Sequence, residues 1–437
     1  MVSRRVRQRR RQFATVGVVL FFVLVYVIFL SGGGGKSPKQ ATTPGHTTTP
    51  VTFPKHSPLN PDWRGSGKPV TLAFGGDVHF AGAVGQRLAT NPATALGTTV
   101  AQLFSGAQLS MVNLETAVTT GSCPQPQSKQ FIFNTGASAI TALRSAGITL
   151  ATQANDHGMD CGQTGLSQDL SIAAAAKYPI IGIGSNASQA FAPYRTTING
   201  QRIAIIAATQ VIAANLVSTW AATGSQPGVA SALNPSELVT AVQTARRTSD
   251  TVVVYLHWGT ELQACPDTQQ IPLAQQLVNA GADIVIGTNA HVLLGAGYLG
   301  SAYVDYGLGN FAFYDDSAPE TDSGALLVTV VGRHITNSVF RPATIVNGLP
   351  EPLTGTPGTT ALASWNAARG CTSLATAPSV SLATEQGETS AFTAPTTTTN
   401  PAVTTTTTGG DAATTTTTTT KPTATTTTTT APTDNAG

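Results

Sequence analysis

Short runs of apolar, mostly β-branched residues recur through the middle of the chain, with helical patterns between several of them. Such runs are typical of buried strands. Between them, Asn234–Glu237 offers an N-cap followed by a proline and a glutamate, and a helix near Leu273–Ala280 is expected to end at Gly281. Strands that alternate with helices predict an α/β domain. The apolar runs are Val70–Phe74, Leu109–Leu114, Ile180–Ile183, Ile203–Ala207, Val252–Leu256, Ile284–Ile286 and Leu326–Val331.

The pattern changes towards both ends of the chain. Residues 31–66 and 380–437 are rich in Gly, Pro, Ser and Thr and show no hydrophobic period. Such composition cannot offset the entropy lost on ordering, so we expect a disordered linker and a disordered, threonine-rich tail. The domain is therefore expected over residues 67–345, with a C-terminal extension over 346–379.

An uncharged apolar run of 18 residues, Phe13–Leu30, follows a basic arm over residues 1–12. As a helix this run would span ~27 Å, close to the hydrocarbon thickness of a bilayer. The arm holds six arginines and no acid, which predicts that the arm stays in the cytoplasm and the domain lies outside. We expect a transmembrane signal anchor. A cleaved signal peptide is the alternative, although no small-x-small cleavage site ends the run.

Charge is scarce in the remainder of the chain. Only 10% of the 437 residues are charged, against roughly a quarter in a typical soluble domain. Without the six arginines of the arm, the chain carries 17 basic and 21 acidic residues. A nucleic-acid-binding protein built on a basic face is therefore excluded.

All four cysteines follow the expected anchor, on its outer side. An even number of cysteines in an oxidising compartment favours up to two disulfides, with three possible connectivities. Free thiols are the main alternative. A zinc site formed by all four is less consistent with the sequence, because no C-x-x-C pair is present.

Side chains that can bind metal ions follow five of the predicted strands. Ligands in α/β folds collect at the carboxyl ends of strands, and a chain with so few charges has little reason to cluster them there. Asp77 and His79 are two positions apart in an extended segment, so both can reach one ion. The sequence therefore predicts a metal site. The segments are Gly75–His79, Asn113–Glu115, Asn155–His157, His257–Glu261 and Gly287–His291.

These segments resemble the CapA family of capsule or poly-γ-glutamate synthesis proteins, which is similar to the calcineurin-like metallophosphoesterases. The resemblance runs from about residue 70 to 315 and implies an α/β fold, a metallophosphoesterase-like four-layer α-β-β-α sandwich. Lys129 and Phe131 also fit the K-x-F segment of the family. The matching motifs are G-D-x-H at 76–79, N-L-E at 113–115, N-D-H-x-x-D at 155–160, H-W-G-x-E at 257–261 and L-G-N-F at 308–311.

The resemblance also implies roles for single residues. One or two divalent cations (Mn, Zn, Fe or Mg) would activate water for attack on phosphorus, with Glu115 in the bridging position. His157 and Glu261 are the expected catalytic residues, His157 as the acid or as an orienting histidine. The expected metal ligands are Asp77, His79, Glu115, Asn155, His257, Asn289 and His291.

Two positions depart from the family pattern. The family usually has N-N-H where this chain has Asn155-Asp156-His157, which adds a carboxylate. Asn289 stands where the family usually has the first histidine of H-P-H. An amide oxygen binds metal ions more weakly than an imidazole does, so one of the two cations is expected to bind loosely.

The resemblance bears on the cysteines as well. Cys123 follows the N-L-E block and Cys161 follows the N-D-H block. Because both blocks are expected to converge on one site, we predict a Cys123–Cys161 disulfide, which leaves Cys265 to pair with Cys371.

Two functions stay open at this point. The first is a membrane-anchored, extracytoplasmic, metal-dependent hydrolase of the phosphoesterase type that acts on envelope material. The second is a non-catalytic accessory component for the synthesis, export or tethering of an anionic polymer such as poly-γ-glutamate. The expected partners are the membrane, an anionic envelope polymer or phosphoester substrate, and the capsule-synthesis machinery. No nucleic acid is expected.

Overall fold

The apolar runs of the sequence form strands of two β-sheets in the computed structural model, which describes residues 55–315 and 317–379. This confirms the α/β prediction. The expected anchor at Phe13–Leu30 and the threonine-rich tail lie outside the described residues. Among the helices within these bounds, none combines the length and the apolar character needed to cross a membrane.

The strands vary from two to thirteen residues. In chain order they are β1 Val70–Val78, β2 Leu109–Leu114, β3 Ala117–Val118, β4 Asn134–Thr135, β5 Leu150–Thr152, β6 Ile180–Ile181, β7 Ile183–Gly184, β8 Tyr194–Ile198, β9 Gln201–Thr209, β10 Gly228–Val229, β11 Thr251–His257, β12 Ile284–Thr288, β13 Ala296–Leu299, β14 Ala302–Asp305, β15 Asn310–Ala312, β16 Asp322–Val331, β17 His334–Val346 and β18 Leu349–Pro352. The α-helices are α1 Gly82–Thr90, α2 Thr99–Leu103, α3 Ser138–Ser145, α4 Gly162–Ala176, α5 Ala187–Ala190, α6 Val217–Trp220, α7 Ser236–Arg246, α8 Gln270–Ala280 and α9 Gly355–Ala368.

Each large sheet has a parallel centre. The first has the order β18-β17-β16-β1-β2-β5-β6, in which β1, β2, β5 and β6 are parallel and β15 pairs with β1 as a further parallel strand. The second has the order β13-β14-β12-β11-β9-β8, in which β14, β12, β11 and β9 are parallel. The carboxyl ends of several parallel strands therefore lie at one edge of each sheet.

The two sheets pack face to face, with helices on both outer faces. Strand β11 shows the arrangement, because its side chains alternate between two hydrophobic clusters. Val253 and Tyr255 join the cluster between the sheets, which also holds Leu72 of β1. Val254 instead packs with Leu277 and the other buried residues of α7 and α8. Helices α1 to α3 cover the outer face of the first sheet, so the order of layers is α-β-β-α.

One predicted strand is divided. The run Ile180–Ile183 forms β6 in the first sheet and β7, which pairs instead with β10. Gly182 lies between them with φ 83°, a left-handed conformation that glycine adopts without strain. A Cβ at Gly182 would also overlap Ala154. The glycine therefore turns the chain where the apolar pattern suggested a continuous strand.

Both predicted disulfides are present. Cys123 pairs with Cys161 and Cys265 pairs with Cys371, with Cα–Cα distances of 5.1 and 5.3 Å. The first bridge ties the irregular segment after β3 to the start of α4. The second ties the loop after β11 to the turn that follows α9.

Both ends of the described chain lie at the amino ends of the parallel strands. Trp63 belongs to the segment interpreted as linker, yet its Nε1 donates to Asp250 Oδ1 at 2.7 Å, just before β11. Its carbonyl oxygen accepts from Arg333 N at 2.9 Å. At the other end, Ser379 N donates to Gly300 O at 3.0 Å, in the turn that precedes β14.

Gly76 allows β1 to approach the segment before β15 closely. A Cβ at this position would overlap the carbonyl oxygen of Gly309, which accepts a hydrogen bond from Asp77 N at 3.0 Å. We expect Gly76→Ala to lower the free energy of unfolding by about 1–3 kcal/mol, because the backbone must shift. Urea unfolding measures the change. Gly224→Ala, where the added methyl group meets open space, should stay within about 0.5 kcal/mol; equal urea midpoints for both variants would contradict the expectation.

Candidate metal centre

The carboxyl ends of strands from both sheets meet at the predicted site. Asp77 lies near the end of β1, and Glu115 directly follows β2. His257 is the last residue of β11 in the second sheet. All three side chains are buried, and one ligand atom of each lies within 4.8 Å of the others. The structure thus brings together three of the predicted ligands.

Asparagines on the neighbouring strands hold Asp77 in place. In the register of the sheet, Asp77 lies opposite Asn113 of β2 and Asn310 of β15. Asn113 Nδ2 donates to Asp77 Oδ1 at 2.8 Å and lies 3.1 Å from His257 Nδ1. Asn289 N donates to Asp77 Oδ2 at 3.1 Å. The carboxylate therefore accepts hydrogen bonds from strand β2 and from the loop after β12.

The ionised form of Glu115 is strongly disfavoured by its surroundings. Burial raises the pKa of Glu115 well above its usual range, and the negative charges of Asp77 and Asp156 raise it further. Two or three carboxylates crowded in a buried space repel one another. A divalent cation would remove this repulsion and favour the ionised form of Glu115.

His291 follows β12 and faces both carboxylates. Its Nδ1 lies 2.7 Å from Asn310 Oδ1 and 3.6 Å from Asp77 Oδ2, and its Nε2 lies 3.9 Å from Glu115 Oε1. Burial alone would lower the pKa of His291, but the charge of Asp77 and the hydrogen bond with Asn310 outweigh burial and raise it. His291 thus lies at the edge of the carboxylate cluster.

His157 is held by a carboxylate on the side away from the cluster. Its Nδ1 donates to Asp160 Oδ2 at 2.6 Å, and Lys129 Nζ lies 2.9 Å from Asp160 Oδ1. The Nε2 of His157 lies 3.9 Å from Glu115 Oε1. Since the hydrogen bond to Asp160 holds the proton on Nδ1, the Nε2 faces the carboxylates of the site.

Asp156 also belongs to the cluster. Ligand atoms of Glu115, Asp156 and His157 lie within 4.8 Å of one another and form a second group that shares Glu115 with the first. Asp156 Oδ1 lies 3.2 Å from His257 Nε2. Although desolvation opposes it, the charge of His157 and the hydrogen bond from His257 lower the pKa of Asp156. Asp156 is therefore a carboxylate that stays ionised at the edge of the site.

His79 lies beside the cluster, under aromatic side chains. Its ring stacks on Phe313 at a centroid distance of 4.0 Å and meets Phe133 edge-on at 4.6 Å. Burial lowers the pKa of His79 to about 3, helped by the charges of His157 and His291. The imidazole is therefore neutral, the form that binds metal ions. Within the described part of the chain, neither of its ring nitrogens has a hydrogen-bond partner.

The two predicted amide ligands make hydrogen bonds within the protein. Asn155 Nδ2 donates to Asn113 Oδ1 at 2.8 Å, and Asn155 Oδ1 accepts from His157 N at 2.9 Å. Asn289 Nδ2 donates to Gly259 O at 2.9 Å. Asn155 thus shapes the loop that carries His157, and Asn289 ties the loops after β11 and β12 together.

Glu261, the second predicted catalytic residue, is exposed to solvent on the loop after β11. Its charge still acts on the site, because it contributes to the raised pKa values of Glu115 and His291. The structure therefore places Glu261 near the site but outside the buried group.

Some residues of the site were given no role by sequence reasoning. Each contacts a predicted metal ligand or His157. Most belong to motifs that the sequence already showed, so their positions near strand ends were the available signal. These residues are Asn113, Lys129, Asp156, Asp160 and Asn310. The aromatic cover from Phe133 and Phe313 carried no such signal.

The residues present fit one or two divalent cations. Carboxylate oxygens and imidazole nitrogens are the common ligands of Mn²⁺, Fe²⁺ and Zn²⁺. The neutral, unpartnered imidazole of His79 and the mutual repulsion around Glu115 are both features that a bound cation would relieve. A cavity of about 390 Å³ opens beside the site, lined by Asp156, Lys129 and Trp220 among others.

Comparison with known proteins agrees with the motifs. The model of a family described as bacterial capsule synthesis protein PGA_cap matches residues 71–315, more than half of the chain. The chain is 32% identical over 222 residues to the capsule biosynthesis protein CapA of Bacillus anthracis, covering 49% of this chain and 52% of that protein. It is 29% identical over 259 residues to the PGA biosynthesis protein CapA of Bacillus subtilis, covering 59% and 67%. The match thus spans about half the length of the first relative.

Among solved structures, a phosphatase from Mycoplasma pneumoniae is similar with a TM-score of 0.40 and 14% identity. The similarity covers 63% of this chain and 94% of that one. A structural similarity with so low a TM-score and identity does not identify an activity for this chain.

Proposed function

Because this chain belongs to the bacterial capsule synthesis protein PGA_cap family, we propose that it takes part in the synthesis of a capsule or a related envelope polymer as a metal-dependent hydrolase of the phosphoesterase type. The buried group of Asp77, Glu115 and His257 carries the proposal. Two carboxylates buried beside each other are both ionised only when a positive charge compensates them, and a divalent cation supplies that charge.

We further propose the setting in which the hydrolase works. The basic arm and the apolar run Phe13–Leu30 anchor it in the cell membrane, with the domain on the extracytoplasmic side. Its partners are an anionic envelope polymer or a phosphoester substrate, together with the capsule-synthesis machinery. The printed names of the two Bacillus relatives, which refer to capsule and PGA biosynthesis, favour this setting.

Asp77, Glu115 and His257 would hold the cations, with His79 and His291 beside them. Bound divalent cations supply a Lewis acid for phosphoryl oxygens and lower the pKa of water. The protein fixes the ligands before substrate binds, because Asn113 and Asn310 already orient Asp77 and His291. The cavity beside Asp156 and Lys129 offers room for the substrate.

His157 is placed to move the proton that a leaving oxygen needs. Asp160 holds Nδ1–H, so Nε2 faces Glu115 and exchanges its proton with groups in the site. Lys129 neutralises Asp160 and keeps the pair in position.

Metal content and activity of the full-length protein test the proposal. We expect the purified protein to bind Mn²⁺ and to hydrolyse bis(p-nitrophenyl) phosphate, and EDTA should abolish the activity until Mn²⁺ is restored. His157→Gln should keep the metal and lower kcat by about 10²–10⁴-fold, since it removes the proton carrier. His56→Gln, at an exposed position, is the control and should match the wild type. A protein that binds no Mn²⁺ at millimolar concentration would end the hydrolase proposal.

The accessory role is the second candidate, and one observation favours it. Asn155 Oδ1 already accepts a hydrogen bond from His157 N, and Asn289 offers an amide oxygen where the family usually has an imidazole, so these two predicted ligands bind a cation more weakly than imidazoles would. Metal binding without hydrolysis of the phosphodiester, in wild type and in Asn289→His alike, would favour a binding component of polymer synthesis over an enzyme.

A further inference from the structure

We infer that the carboxylate of Asp156 is a ligand of the second cation, which it shares with Glu115. The inference rests on the proposed metal centre and concerns a residue that the sequence motifs leave without a role. It gives the site two adjacent positions. One lies between Asp77, Glu115 and His257, and the other lies between Glu115 and Asp156.

The distances support two positions that share one carboxylate. Glu115 belongs to both groups of ligand atoms that lie within 4.8 Å of one another. Asp156 Oδ2 lies 3.5 Å from His157 Nε2, which is itself 3.9 Å from Glu115 Oε1. Separations of 3–4 Å between oxygen and nitrogen atoms leave space for a cation that is about 2.0–2.2 Å from each.

The amide of Asn155, which was expected at this position, is already engaged at both of its polar atoms. Asn155 Oδ1 accepts from His157 N, and Asn155 Nδ2 makes two hydrogen bonds, to Asn113 Oδ1 and Leu114 O. Asn289 Nδ2 donates to Gly259 O, and its amide oxygen is a weaker ligand than the imidazole expected at this position. The carboxylate next to Asn155 adds a more strongly charged ligand beside these two amides.

Asp156 is also suited to this role by its surroundings. Its side chain is 24% exposed and lines the cavity beside the site, so a cation can enter from solvent. A carboxylate is a harder and more strongly charged ligand than an amide.

An ion pair with Lys129 is the competing explanation for Asp156. Lys129 Nζ lies 3.6 Å from Asp156 Oδ2 and donates to the backbone carbonyl of Asp156. The two explanations predict opposite effects when the lysine is removed. If Asp156 serves the ion pair, Lys129→Gln should resemble Asp156→Asn. If Asp156 binds a cation, loss of the lysine removes a repelling charge and should leave the second cation in place or bind it more tightly.

Calorimetric titration of the full-length protein with Mn²⁺ decides between them. The wild type is expected to bind two cations. Asp156→Asn preserves the shape of the side chain and its acceptor for His257 Nε2, yet should retain one cation and bind the second at least tenfold more weakly, at or beyond the 10–100-fold that loss of an outer-shell partner costs. Glu261→Gln removes a nearby negative charge at an exposed position and should keep both cations.

Each outcome has a distinct meaning. Two tightly bound cations in Asp156→Asn would overturn the inference while the proposed hydrolase stands. Equal weakening in Asp156→Asn and Glu261→Gln would show that Asp156 acts through charge alone, and equal weakening in Asp156→Asn and Lys129→Gln would show that it serves the ion pair; either result also overturns the inference. A wild type without any bound Mn²⁺ would refute the proposed function itself. Urea unfolding of each variant separates ligand loss from misfolding.

Discussion

Asp77→Ala should empty the metal centre and reduce phosphodiester hydrolysis to background. Asp77 is at the centre of the site. It accepts hydrogen bonds from Asn113 and Asn289 and lies near His257 and His291. Removing its carboxylate takes a ligand from the first cation and leaves two donors without an acceptor. We expect the affinity for Mn²⁺ to fall by more than 100-fold, beyond the effect of an outer-shell change. Metal content by mass spectrometry and the rate of bis(p-nitrophenyl) phosphate hydrolysis measure both effects.

Two further variants make the result interpretable. Asp77→Asn keeps the volume of the side chain and should lose metal as well, so that a cavity cannot explain the effect. Glu237→Gln, at an exposed position on α7, removes a carboxylate far from the site and should keep both metal and activity. If Asp77→Asn retained full metal content, the assignment of Asp77 as a ligand would be wrong.

Arg246→Met should be among the most destabilising single substitutions in the described chain. The guanidinium of Arg246 is 4% exposed, and its Nη1 pairs with Asp283 Oδ2 at 2.5 Å. It also donates to the carbonyl oxygens of Gly281 and Ser249. Methionine fills similar volume but leaves the buried Asp283 with less compensating charge. We expect the free energy of unfolding to fall by about 3–5 kcal/mol, the cost of breaking a buried ion pair from one side.

A more exposed ion pair provides the matched comparison. Arg202 pairs with Asp250 at 2.6 Å, but its side chain is 47% exposed. Water solvates the Arg202 guanidinium, and the buried Asp250 keeps hydrogen bonds from Trp63 Nε1 and Arg202 N when the guanidinium is lost. Arg202→Met should therefore cost about 1 kcal/mol. Urea unfolding of both variants gives the two values. Equal costs would show that burial does not determine the strength of these pairs.

The sequence predicted the parts of the fold that local pattern determines. The run Val252–Leu256 is apolar at every position because β11 is buried on both faces, and His257 could be assigned to its end for the same reason. Gly281 ends α8 in the left-handed conformation, with φ 111°, as expected of a glycine after a helix. The apolar pattern alone did not show the division at Gly182, because a glycine in an apolar run is compatible with either a strand or a turn.

The site was predictable in its residue types and less so in its contacts. Positions at strand ends were enough to select Asp77, Glu115 and His257. The partners of Asn155 and Asn289 were not predictable, because an amide can bind a cation or a backbone group with equal chemistry. The aromatic contacts of His79 depend on how the loop around Phe133 folds back, and no periodicity in the sequence records such a path.

The positions of both ends of the described chain affect how an anchored protein would meet its substrate. Trp63 and Ser379 both lie at the amino ends of the parallel strands, whereas Asp77 lies seven residues along β1 from Val70. At roughly 3.3 Å per residue, this places the carboxylate of Asp77 about 23 Å from those amino ends. With the proposed anchor, the linker would join the domain at these amino ends, on the side away from the mouth of the site. Such a protein would work on polymer that has already left the lipid surface, at a distance from the bilayer that the length of the linker sets.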